Sequence, residues 1–96
     1  MDMNIINNST PEKLREFAEE LNKYCLEVES SLNDLILNHR KIGEHWSGEQ
    51  YDQFTEKFCL IQKNITIKLQ ELIELKKYVL NKAQELEDAQ KIRIDK

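Results

Sequence analysis

Turn-forming residues are scarce in this chain of 96 residues, which holds two glycines and one proline. So few breakers leave room for few sharp turns, and few turns mean long elements. Cysteine is limited to Cys25 and Cys59, without a Cys-x-x-Cys spacing. That excludes the usual zinc and thioredoxin patterns, leaves the redox compartment open, and lets both read first as small core hydrophobes. Positive charge is also short: 14 Lys plus Arg stand against 18 Asp plus Glu, for a net charge of -4. This is the wrong sign for a partner with a nucleic-acid backbone or an anionic membrane. With 33% charged residues and a mean hydropathy of -0.68, the chain is too polar for a membrane span, while 40% hydrophobic residues set it apart from a disordered tail. The first ten residues show no basic run followed by an apolar stretch, so no Sec-type signal peptide is read there. A chain this short is a single domain, which excludes a two-domain enzyme.

What is present is a long apolar period. Thr10 suits an N-cap, Pro11 the first helical position and Glu12 the first turn. From there Leu14, Leu21, Val28, Leu35 and Ile42 recur every seven residues, with Ala18, Cys25 and Leu32 four places after the first three. The pattern stops at 43–48, where Gly43 and Gly48 both fall, and the only sharp turn is placed there. Beyond it Tyr51, Phe58, Ile65, Leu72, Val79 and Leu86 form a second heptad series, supported by Phe54, Ile61, Leu69, Leu75 and Ala83. The expected fold is therefore all-α: a first helix at about 11–42, a turn at 43–48, a second helix at about 49–89 and a frayed tail at 90–96. Two such rods make an antiparallel hairpin. Each helix covers only one side of the other, so a second hairpin is expected to complete a four-helix bundle dimer. Its core stripe would comprise Leu14, Leu21, Val28, Leu35, Phe54, Phe58, Ile65 and Leu72.

Residues that could carry chemistry are sparse along this rod. A catalytic site needs convergent polar groups in a concave pocket, which a thin rod with a Leu/Ile/Phe stripe does not supply, so neither an enzyme nor a cofactor site is expected. His39 and His45 are six apart and fall on different helix faces, reading as solvated side chains near the turn rather than metal ligands. A hairpin folded about 44–48 sets Cys59 opposite a residue near Leu32, leaving Cys25 about seven residues from that level, on the order of 10 Å along the axis. That exceeds the roughly 7 Å limit for a bridge, so no intrachain disulfide is expected. Two glycosylation-type triplets, Asn64-Ile65-Thr66 and Asn8-Ser9-Thr10, match a pattern common by chance. Residues 1–48 carry nine acids and five bases and residues 49–96 nine of each. The acidic first helix reads as a solvated face that keeps the rod soluble.

Trp46-Ser47-Gly48 stands apart from this pattern. Taken alone it is a hydrophobic plug at the bundle end, with Gly48 supplying a positive φ or a close backbone approach. Its surroundings add to that reading. The opening Thr10-Pro11-Glu12-Lys13-Leu14-Arg15, Trp-x-Gly at mid-length and the aromatics Phe54 and Phe58 after it make the chain resemble the WXG family over Thr10 to Gln90. This family comprises the small, early secreted antigen-like substrates of bacterial type VII (ESX) secretion. The resemblance implies a four-helix dimer, homo- or heterodimeric, exported folded and without a cleaved signal peptide by a membrane ATPase-driven machine. It also implies that Trp46 and Gly48 form a secretion-signal turn, which acts with a Tyr-x-x-x-Asp/Glu tail on the other subunit. In this chain Leu86 and Gln90 occupy the two tail positions. That departure implies export with a signal-bearing partner, or service as an adaptor for a larger secreted toxin. The rival expectation is a structural coiled-coil subunit of a larger assembly with no secretion role.

Overall fold

Thr10 has an extended backbone, φ -82° and ψ 159°, and its Oγ1 accepts a hydrogen bond from the Lys13 N–H at 3.2 Å. This N-cap satisfies one of the amides that a helix start leaves unpaired. With Pro11 at the first helical position and Glu12 in the first turn, it opens α1 (Pro11–Gly43). The computed structural model describes residues 10–94. The leader reading, Asn8 and Ser9 of the second glycosylation triplet, and the last two residues of the expected tail all lie outside the described residues.

At its far end α1 carries Arg40 and Lys41, whose charge suits the negative end of the helix dipole. Tightened bonds from the Glu44 N–H to Lys41 O (3.2 Å) and from the His45 N–H to Ile42 O (3.1 Å) close the last turn. Gly43 lies against Tyr51, and a Cβ there would collide with the Tyr51 hydroxyl. Gly48 has φ +105°, a region open to glycine, and its carbonyl accepts the first helical bond of the next element from the Asp52 N–H at 3.0 Å. That element, α2 (Glu49–Ile94), runs for 46 residues against the 33 of α1. It continues past the end expected at 89, because nothing between Gln90 and Ile94 breaks a helix and Gln84 and Lys91 bond one turn away to Asp88 and Glu87.

The two helices pack antiparallel as a rod of 73 × 19 × 16 Å. Among the described residues no helix is long and apolar enough to cross a membrane. Three contacts fix the register: an Arg15–Glu87 ion pair at the open end, Lys76 Nζ donating to Asn22 Oδ1 at 3.0 Å, and His39 Nε2 bonded to Thr55 Oγ1 at 3.0 Å near the turn. Both cysteines are free, Cys25 buried and Cys59 exposed.

The buried seam differs from the expected stripe. Leu14, Ala18, Cys25 and Leu32 of α1 and Val79 and Ala83 of α2 are buried, with Phe17 and Leu86 packed beside the open-end cluster. Of the residues expected in the stripe, Leu21, Val28, Phe54, Phe58, Ile65 and Leu72 are half-buried, and Leu35 is 52% exposed. Ile42 is 42% exposed as well. The Ala18–Cys25–Leu32 column of α1 is buried along its length, whereas of the column four residues earlier Leu14 is buried at the open end and Leu21 and Val28 are half-buried. Small Ala18 and Ala83 belong to the same cluster at the open end, which is where burial is deepest.

Candidate functional site

The turn end of the rod is held by aromatic rings. Tyr51 and Phe54 project from the first two turns of α2 with centroids 6.4 Å apart, and the Trp46 ring stacks on Phe54 at 5.6 Å while meeting Tyr51 edge-on at 5.7 Å. Offset and edge contacts of this kind are the favoured aromatic geometries. Trp46 keeps 40% of its surface exposed, so one flank of the indole is fixed by α2 and the rest is open. Ser47 and Gly48 are exposed beside it, and a Cβ on Gly48 would meet open space, so this glycine answers to its φ alone.

His39 sits on the inner side of the same rings. It stacks with Tyr51 at 5.7 Å, tilts onto Phe54 at 5.4 Å and onto Phe58 at 4.7 Å, and bonds Thr55 through Nε2. The expected pair of solvated histidines is thereby corrected: His45 is exposed, whereas His39 is half-buried and ties the last turns of α1 to α2. The signal was in the spacing, because Ala18, Cys25 and Leu32 continue seven residues on to His39. A flat, partly polar ring can occupy a seam position where one edge has a hydroxyl to bond. Among the described residues there is no group of three His, Cys, Asp or Glu side chains that could hold a metal.

Next to the rings the two helices part into an open apolar groove of about 370 Å³. Its walls are Leu32, Leu35, Ile42, Phe54, Phe58, Ile61 and Ile65, with Asn38, His39, Lys57 and Gln62 among them. Two shallower hollows of about 310 and 290 Å³ continue it along the rod, past Tyr24, Val28, Leu69 and Leu72, with Glu27 and Ser31 on one edge and Asn64 and Lys68 on the other. The three share Leu32, Leu35, Ile61 and Ile65 pairwise, so they form one trough down one side of the hairpin. Leu, Ile, Phe and Tyr line this trough, and it stays open along the side of the hairpin.

Leu86 and Gln90 lie at the other end of the rod. Leu86 packs against the open-end core and Gln90 is exposed. From Trp46 to Leu86 the chain climbs about 60 Å of helix. The turn and the tail of one chain therefore do not meet. Compared with known protein families, curated proteins and solved structures, the chain shows no match.

Proposed function

We propose that this chain is a WXG-type helical hairpin of bacterial type VII (ESX) secretion, exported as a substrate or as the co-secreted partner or adaptor of one. It works by protein–protein recognition. The observation that carries the reading is the Trp46 turn, with its half-open indole fixed on Phe54 and Tyr51 beside a left-handed Gly48, at the head of an uncovered trough. A second hairpin, this chain's own copy or a related one, fills the trough and completes a four-helix bundle. The turn is read by the secretion ATPase, and the protein passes from the cytoplasm to the outside in folded form. Since Leu86 and Gln90 replace the family's tail residues, the acidic half of the export signal comes from another protein, which can be a larger toxin.

Export from the native host tests this. Wild type is expected in the medium only when a partner with a Tyr-x-x-x-Asp/Glu tail is also expressed. Undiminished export from a host lacking every such partner would reject the shared signal.

A structural coiled-coil subunit is the second reading, favoured by Leu26, Leu37, Leu60 and Ile67. These side chains are 47 to 60% exposed, and all four fall outside the trough. A single hairpin seated in the trough leaves them bare, whereas a larger assembly would cover them.

A further inference from the structure

We propose that the open side of the Trp46 indole is the seat of an arginine side chain, supplied by the protein that reads the turn. This deepens the reading above by naming the chemistry of the turn's reader, and it rests on that reading. The centroids of Trp46, Tyr51 and Phe54 form a nearly equilateral triangle with sides of 5.6, 5.7 and 6.4 Å. Tyr51 and Phe54 therefore lie on one side of the indole, and no other ring among the described residues packs against it. An exposure of 40% fits a ring covered on one side and bare on the other. The bare face of an indole carries the negative lobe of its quadrupole and attracts a cation.

The charges around the ring select the same sign. From Glu44 to Gln53 the chain has three acids, Glu44, Glu49 and Asp52, and neither Lys nor Arg. All three are exposed, and none belongs to an ion pair among the described residues. Glu49 and Asp52 suit the first turn of α2, where the helix dipole favours an acid. Glu44 has no such local reason. It caps the C-terminal end of α1, where the dipole opposes a negative charge, and it stands two residues from the indole. The nearest bases are Arg40 and Lys41 in the last turn of α1 and Lys57 at the groove, while His45 is exposed beside the ring.

Arginine answers this surface better than lysine does. A flat guanidinium lies on an aromatic face and still directs N–H groups sideways to carboxylates, whereas an ammonium is a compact, strongly hydrated charge. An apolar side chain would cover the ring but leave the carboxylates without partners, and an anionic group would be repelled.

The test uses the purified full chain, whose single Trp gives one indole N–H signal in a nuclear magnetic resonance spectrum. It is titrated at matched ionic strength with blocked tripeptides holding arginine, lysine or citrulline between two glycines. The arginine peptide should shift the Trp46 signal saturably, with a dissociation constant on the order of tens of millimolar. The lysine peptide should bind about two- to threefold more weakly, and neutral citrulline should give no saturable shift. Glu44→Gln combined with Glu49→Gln, shown to be folded by circular dichroism, should weaken arginine binding at least about threefold. Equal responses to arginine and citrulline would overturn the proposal. So would full arginine binding by the Gln variant, or arginine shifts confined to the acids of α1 with the indole signal unmoved. No secretion machinery enters this measurement, so failure of arginine binding and failure of the export reading are seen in separate experiments.

Discussion

At the scale of single residues, the two glycines of the turn do different work, and substitution separates them. Gly48→Ala meets no neighbour, so its penalty is backbone strain at φ +105°, about 1–2 kcal/mol. Gly43→Ala instead drives a methyl into the Tyr51 hydroxyl. Removing that hydroxyl should relieve part of the clash, so Gly43→Ala should lower the melting temperature less in a Tyr51→Phe background than in wild type. Additive shifts would show that the two residues do not touch. Trp46 was singled out in the sequence because Trp-x-Gly has no place in a heptad pattern. His39 was not, since its ring nitrogens suggested solvent and only its place in the Ala18–Cys25–Leu32 series suggested the seam. Its bond to Thr55 depends on a side chain sixteen residues away, which no local pattern discloses.

At the scale of the helices, periodicity and breakers located both rods and the turn between them. The facing column is what they left open. A heptad pattern places two apolar columns on each helix, and which of them meets the neighbouring helix depends on rotation about the axis. Ala18 and Ala83 share the buried cluster at the open end, and small side chains there favour a facing column that the heptads alone do not specify. As a result Phe58, which the stripe places in a full core, is half-buried beside His39 and the groove. Phe58→Ala should therefore destabilise by about 2 kcal/mol rather than the ~3–5 kcal/mol of a sealed core position, against almost nothing for the exposed control Lys63→Ala. Equal thermal midpoints for the two variants would contradict the packing of α1 on α2 at this level. Thr10→Ala removes the cap on α1 and should lower stability by about 1 kcal/mol, read by urea denaturation.

At the scale of the whole molecule, a rod 73 Å long and under 20 Å thick can bury little in a single seam, and the trough beside that seam leaves further apolar surface open. The hairpin was legible in the sequence because two long apolar periods joined by one short turn have few other ways to fold. Which side of the hairpin stays open was not, because that again follows from helix rotation. The functional claim rests on the open indole at the end of the rod, set apart from the outward-facing Leu60 on α2. The most direct test compares export of wild type, Trp46→Ala and Leu60→Ala from the native host, with circular dichroism showing that each is folded. Retention of a folded Trp46→Ala protein inside the cell, with Leu60→Ala exported like wild type, is the expected result. Undiminished export of a folded Trp46→Ala protein would contradict it.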